Sequence, residues 1–454
     1  MSSCVLFQVH FYIGTKALTT RDVRKDGVMR WISIWMFVLV SLLYGVPNGS
    51  AQQGPTNYET SKLADLLVEA ENNNPQLRVV KQELQSMQQM PTQVSTLPDP
   101  QVALQQVNVG SPRPFAGFTN SDFAYIGLGV SQDFPYPGKL RLRRELASKD
   151  AEVAEQKVEA MLRAILSDLK VAFFRISFLT KQGVILDGDR ELLQQMEQAA
   201  EVKYRSGMGN QQEVLQAQLE QTKLLREITA NRLEASKLQA ELKQLLGRPQ
   251  TSPDLVTEDI GETTLTRNFD ELLSAAQSNN PHVSGAQKAV DRQKISIEIA
   301  KKDFYPDFNA QFMWQRTDPS QFRAYYQFTL GARIPIYRKR KQQPELAQAE
   351  IDKSKAQSEV DAQLQEVSST LRQQYVAVEK SAELLKMYRD GLLPQAKAAL
   401  EAGFAAYQSN RQDFETLLAS FLDVLKLDEE YWQTLSEHEA ALGQIEELTG
   451  VLLR

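Results

Sequence analysis

The side chains best suited to nucleophilic or metal chemistry are few and scattered. Three histidines, His10, His282 and His438, and a single cysteine, Cys4, lie far apart in the 454-residue chain. One cysteine excludes an intrachain disulfide and a thiolate zinc cluster. A lone histidine is more often a surface or capping residue than a ligand. Met87 and Met90 are read as packing rather than as a copper relay. The chain contains no G-x-S-x-G or H-E-x-x-H motif, and Gly138-Lys139 runs into Leu140 without the glycine spacing of a phosphate loop. GLGVSQ, from Gly127, sits inside a strand pattern rather than at a strand-to-helix turn. No catalytic, cofactor-binding or metal-ligating set is expected, so the chain is read as a non-enzyme with no cofactor. The net charge of −6 supplies no basic field for phosphates, which argues against a nucleic-acid partner.

What the sequence does contain is faces. In FNAQFMWQ, Phe308, Ala310, Phe312 and Trp314 alternate with Asn309, Gln311, Met313 and Gln315. This period-two pattern marks a strand between two unlike surroundings. Three further segments are strand candidates. In FAYIGLGVSQ, Ala124, Ile126, Leu128 and Val130 oppose Gly127, Gly129 and Ser131. In YQFTLGARI, Tyr326, Phe328, Leu330, Ala332 and Ile334 oppose Gln327, Thr329, Gly331 and Arg333. QVALQQVNV, from Gln101 to Val109, alternates poorly, with a phase slip at Gln105-Gln106. Each segment has the ~9–11 residues of a tilted transmembrane strand. The expected lipid-facing residues are Ile126, Leu128, Val130, Phe308, Phe312, Trp314, Phe328 and Leu330. Aromatics at the strand ends (Phe115, Phe118, Phe123, Tyr125, Trp314, Tyr325) suit an interfacial girdle. Four strands cannot close a barrel in lipid, so several chains must share one. The competing reading is a soluble sheet packed on helices.

These strands sit within a tandem repeat. LADLLVEAENNNPQLRVV from Leu63 matches FDELLSAAQSNNPHVSGA from Phe269. Pro98-Asp99 matches Pro306-Asp307, Gly129 matches Gly331, and Tyr204 matches Tyr407. The offset stays between 202 and 208, too long a period for a solenoid. The expected organisation is a leader (1–51), a first repeat (52–247), a linker rich in Pro, Thr and Gly (248–268) and a second repeat (269–454). Each repeat reads as a short helix, a break at Asn-Asn-Pro, a helix of about 20 residues, two strands, a very long helix, a turn and another long helix. Leu162, Ile165, Leu169, Ala172, Ile176 and Leu179 form a heptad stripe on the first very long helix, about Leu140 to Tyr204. Its partner carries Leu225, Ile228, Ala235, Leu238, Leu242 and Leu245. Pro394 predicts a kink in the corresponding helix of the second repeat.

The apolar run Trp31 to Val46 follows Arg24, Lys25 and Arg30 and precedes Gly49-Ser50-Ala51. At 16 residues it is short for a membrane span and reads as a signal peptide cleaved after Ala51, with Met29 as an alternative start. An uncleaved anchor helix is the other reading of this run.

The order of signal peptide, tandem repeat, paired strands and long helical hairpins resembles the TolC-like outer membrane efflux protein family. The paired Asn-Asn-Pro segments, FPYPGKLRLR and the tips YRSGMGNQQEVLQAQ and YQSNRQDFETLLAS carry the resemblance, and FPYPGK resembles the heavy-metal branch. The implied fold is mostly α with a small β part: long helical hairpins form a periplasmic α-barrel, and four transmembrane β-strands per chain complete a 12-stranded barrel in a homotrimer. The implied function is the outer-membrane exit duct of a tripartite efflux or type I secretion system, a passive conduit. Its implied partners are a periplasmic adaptor (membrane fusion) protein, an inner-membrane transporter and outer-membrane lipid. The resemblance places the gate and adaptor contacts at the helical tips: Arg205, Gly207, Met208, Gly209, Glu213, Arg411, Asp413 and Glu415. Relatives can carry two aspartates near the start of the last long helix as a charged ring, where this chain has Thr416 and Ala419. Asp413 and Glu415 could serve instead, or be helix N-terminal acids favoured by the macrodipole. The rival reading of the whole chain is a secreted or periplasmic coiled-coil tether without a channel.

Overall fold

A computed structural model describes residues 60–107, 124–316 and 324–453. The leader, and Phe115, Phe118 and Phe123 of the proposed girdle, lie outside the described residues. The first repeat runs β1 (Thr60–Ser61), α1 (Leu63–Asn73), α2 (Pro75–Ser95), β2 (Gln101–Val107), β3 (Tyr125–Phe134), α3 (Lys139–Arg205) and α4 (Gln211–Leu246). After β4 (Val256–Thr257) the second repeat runs α5 (Phe269–Asn279), α6 (Pro281–Lys302), β5 (Asp307–Arg316), β6 (Tyr325–Arg333) and α7 (Gln342–Met387). A π-helical segment (Tyr388–Leu392), α8 (Leu393–Gln408) and α9 (Phe414–Thr449) complete it. The 67 residues of α3 span roughly 100 Å at ~1.5 Å per residue.

The π segment has a sequence origin. Buried Ile165, Leu169 and Ile176 match buried Val367, Leu371 and Val378 at an offset of 202, whereas Tyr204 matches Tyr407 at 203. The second repeat has therefore gained one residue between these points, and a π turn absorbs one extra residue without ending the helix. Pro394, expected to kink the helix, sits in the first turn after this segment, where its missing N–H is tolerated.

Each repeat has its own core, and the two share a third. Leu66, Leu77, Ile165, Leu169, Phe173 and Leu242 centre the first. Leu272, Val283, Leu371, Val378, Leu442 and Ile445 centre the second. Towards the tips, α3, α4, α8 and α9 merge into one core around Leu193, Met196, Leu224, Tyr407, Phe414 and Phe421. The stripe on α3 is buried from Ile165 to Leu179, with Leu162 partly so. On α4 the reading needs one correction: Leu225 is exposed, because α3 covers the adjacent face through Leu224 and Ile228.

The linker packs more closely than its composition suggests. Val256 and Thr257 pair in parallel with Thr60 and Ser61, and Leu255 is buried. Thr263 ties the linker to α9: its N–H and hydroxyl bond the Glu439 carboxylate at 2.7 and 3.0 Å. The Thr263 carbonyl accepts from His438 Nε2 at 2.8 Å, and His438 Nδ1 meets Ser381 Oγ at 2.8 Å. His438 is thus a buried, hydrogen-bonded core residue.

Candidate functional site

The four long strands form one antiparallel sheet in the order β2-β3-β5-β6, so the strands of both repeats meet at β3–β5. Ten residues at ~3.3 Å, tilted ~40°, rise about 25 Å, the height of a barrel's apolar band. The register brings the expected apolar residues together. Val130 pairs with Phe312 and Phe312 with Phe328; Leu128 pairs with Trp314, Phe134 with Phe308 and Ala310 with Leu330. Leu128, Val130, Phe308, Phe312, Trp314, Phe328 and Leu330 are all exposed, Leu330 to 74%. Ile126 is half-buried beside Arg316, and Ala124, ahead of the strand, is buried, so the exposed face starts later than the alternation implies.

QVALQQV corrects another expectation. β2 pairs with β3 residue for residue from Gln101 to Val107, with no slip at Gln105-Gln106. Val102 and Leu104 continue the exposed apolar face, and Gln106 occupies its next position opposite Ile126. A polar residue near the end of a strand broke the hydrophobic pattern but not the ladder.

The opposite face is small or polar. A Cβ on Gly127 would lie 3.1 Å from Gln315 Cγ, and one on Gly129 3.3 Å from Met313 Cε. The two glycines therefore let these long side chains lie across β3, where both are buried. Asn309 Nδ2 donates to Asp133 Oδ1 at 2.8 Å on the same face.

FPYPGK forms the joint between sheet and helix. Gly138, at φ +92°, turns the chain from β3 into α3. The Lys139 ammonium, 3% exposed, bridges Asp303 at 3.0 Å and Asp307 at 2.9 Å. The Tyr136 N–H donates to the same Asp307 oxygen at 2.8 Å, and the Tyr136 ring stacks on Tyr305 at 4.6 Å. The motif thus locks the first repeat's helix to the second repeat's strand.

The Asn-Asn-Pro motifs splice helices end to end. Asn74 caps α2 by accepting from the Leu77 N–H at 3.0 Å, and its Nδ2 donates to the Leu245 carbonyl at the end of α4, at 2.8 Å. Asn280 repeats this, capping α6 and donating to Leu448 at 3.1 Å. Both asparagines are buried. The short helices therefore extend the hairpins, as the unequal helix lengths anticipate. Gly247, at φ +70°, completes the first splice: a Cβ there would lie 2.5 Å from the Asn73 carbonyl oxygen.

At the far end, the two hairpin turns lie against each other. Gly207 (φ +74°) and Asn410 (φ +58°) take the left-handed conformations of the reversals. Gly209 packs where a Cβ would meet Lys203 at 2.8 Å. Met208 is exposed, with its sulfur 3.8 Å from Asn410 Nδ2. Arg205 pairs with Glu201 one turn back, and Arg411 is exposed. Asp413 caps α9, accepting from the Thr416 N–H at 2.7 Å. The Thr416 hydrogen bonds hold its carboxyl below the usual range. Glu415 accepts from Gln216 Nε2 at 3.4 Å, and Glu213 accepts from the Tyr407 hydroxyl at 2.7 Å. Both ties cross between the hairpins.

Tyr407 is the tip residue that sequence reasoning missed. It is 1% exposed, whereas its counterpart Tyr204 is 46% exposed. Lys203 donates to its carbonyl and lies 3.6 Å from its ring centroid, and Phe414 meets it edge-on. Burial first, then the Glu213 carboxylate, push its phenol above the ordinary tyrosine range. The match between the two tyrosines was visible in sequence, but which one turns inward was not.

Among the described residues, no helix is long and apolar enough to cross a membrane, and no group of three or more His, Cys, Asp or Glu side chains could hold a metal. The sheet exposes an apolar face about one barrel-height tall and is carried on long helices, the longest of them, α3, about four times that height. The fold and these faces define the class: a channel protein that joins a transmembrane β-barrel part to a helical tunnel. The chain belongs to the outer membrane efflux protein family, whose model matches residues 66–248 and 272–419. This is a family of channels rather than enzymes, and it places the protein in the outer membrane with its helices on the periplasmic side.

Solved structures agree in fold. The outer-membrane channel OprN, 17% identical, aligns over 86% of this chain and 90% of its own with a TM-score of 0.72. CusC, a transmembrane channel also 17% identical, aligns over 89% and 97% with a TM-score of 0.70. The outer membrane protein VceC from Vibrio cholerae, 16% identical, aligns over 86% and 97% with a TM-score of 0.71. A sequence search of curated proteins finds no match.

Proposed function

We propose that three copies of this chain close a 12-stranded barrel in the outer membrane and form one passive exit duct of a tripartite efflux or type I secretion system. One observation carries this reading: the sheet exposes a continuous apolar face and leaves β2 and β6 as edge strands. An open edge in hydrocarbon leaves backbone groups unsatisfied, and only strands from other copies remove it. A tether needs neither feature. The mature chain follows a leader cleaved after Ala51, with repeats at 52–247 and 269–454 joined by 248–268.

The helical tips are the gate and the contact for a periplasmic adaptor, behind which an inner-membrane transporter supplies energy. The hydrogen bonds Glu213–Tyr407 and Gln216–Glu415 support a latch that holds the hairpins together when the tip is shut. Asp413, whose carboxylate is engaged as a helix cap, has less freedom to serve as a selectivity ring than Glu415.

The test is native mass and location. Inner and outer membranes are separated, the protein is extracted in mild detergent and weighed by light scattering with detergent subtracted. An outer-membrane species of three chains is expected. A soluble monomer or dimer overturns the proposal and returns the sheet to a tether.

A further inference from the structure

We infer that Lys341 of one copy pairs with Asp99 of the next, repeating across the subunit boundary the clamp that Lys139 and Asp307 make within the chain. The inference rests on the proposed shared barrel. Within one chain, the second strand of the first repeat (β3) lies beside the first strand of the second repeat (β5), and the clamp sits below that pair. In a closed ring of alternating repeats, β6 must lie beside β2 of the neighbouring copy, and the equivalent clamp falls below it.

The lysines are matched by the repeat offset and the aspartates by the Pro-Asp pairs, with Asp99 two residues ahead of Gln101, which takes the ladder place of Asp307. Lys139 and Lys341 differ by 202, the offset that also relates Gly129 to Gly331 before them and the buried pairs Ala147–Ala349 and Ala154–Ala356 after them. Asp99 and Asp307 each follow a proline at the entry to the first strand of their repeat, Asp99 two residues before β2 and Asp307 as the first residue of β5. The faces also agree. Carrying the β3–β5 register over with these equivalences sets Ala332 opposite Leu104 and Ile334 opposite Val102, so one apolar surface runs across the boundary.

Charge complementarity points the same way. Lys139 is buried between two carboxylates, whereas Lys341 is exposed at the end of the run Arg338-Lys339-Arg340-Lys341. No ion pair engages these four cations among the described residues. Asp99 is exposed beside the β2 edge and is the one acid between Glu83 and Asp122. A cationic corner on one edge of the sheet thus faces a single carboxylate at the other.

The test uses the full-length chain with its one cysteine, Cys4, replaced by serine. Asp99→Cys and Lys341→Cys are introduced singly and together, and isolated outer membranes are treated with a short bifunctional thiol reagent. The double variant is expected to give covalent species of two and three chains on a denaturing gel, and each single variant a monomer. In parallel, Lys341→Asp is expected to lose the detergent-stable assembly, and adding Asp99→Lys to restore it. A native mass of three chains without linkage between 99 and 341, or with linkage through Lys339→Cys or Arg333→Cys instead, overturns the pairing while leaving the duct intact. A monomeric native mass overturns the duct itself.

Discussion

Replacing Phe312 by arginine puts a guanidinium on the apolar face of the sheet at mid-height. Phe312 is the sixth of the ten residues of β5, 47% exposed, between Val130 and Phe328 in the register. Each strand residue covers about 2.5 Å of depth at ~3.3 Å rise and ~40° tilt, so Phe312 lies within about one residue of the bilayer centre. A basic residue there costs about 2–4 kcal/mol per chain. Three chains carry it together, so the assembled barrel loses roughly 6–12 kcal/mol, comparable to the ~5–15 kcal/mol that stabilises a typical domain. The ring stack on Tyr326, at 6.2 Å between centroids, is lost as well. The assay separates membranes and measures the fraction of chain in a detergent-stable species of native mass. Loss of most of that species is expected. The control is Gln327→Arg, beside Met313 on the opposite face, which is expected to assemble as wild type. Equal yields of Phe312→Arg and wild-type assemblies in the outer membrane would refute the lipid-facing assignment and the depth argument together.

Two further predictions concern the helical body. Asp189, on α3, has its carboxyl pushed up to about 6, first by burial and then by the Asp428 carboxylate, against the pull of Lys397; its Oδ2 has no hydrogen-bond partner. Because the folded-state value exceeds the unfolded one, the folded chain binds more protons between pH ~4 and ~6, and stability falls as pH rises through that window. Asp189→Asn is expected to flatten this slope and to raise stability at pH 7 by about 1–3 kcal/mol, read as melting temperature against pH; a slope equal to wild type contradicts the assignment. Asn280→Ala removes both the cap of α6 and the bond to Leu448, and is expected to cost about 1–3 kcal/mol in denaturant unfolding, with Asn74→Ala similar. A loss below a few tenths of a kcal/mol at both sites would mean the splice is maintained by packing alone.

The sequence by itself determined the elements and their order. Helix heptads, strand alternation and the Asn-Asn-Pro breaks are local patterns of period 3.5, period 2 and a missing N–H, which neighbours in the chain impose whatever they pack against. The tandem offset was legible for the same reason, and its step from 202 to 203 carries the one-residue insertion that the π segment absorbs. Sequence also separated apolar from polar strand faces, failing where Gln106 occupies the apolar side of a regular ladder and at Ala124 and Ile126, which are covered rather than exposed.

The tertiary structure decided which of two similar residues does what. Tyr407 is buried, enclosed by Lys203, Glu213 and Phe414 where the two hairpin turns meet, while Tyr204 is exposed. Lys139 is paired and Lys341 exposed because β3 has a neighbour within the chain and β6 is an edge. His438, Glu439 and Thr263 meet only when a linker that reads as loose folds back onto α9. Long-range charge pairing, hydrogen bonding and burial depend on which surfaces are brought together, and sequence spacing holds no record of that.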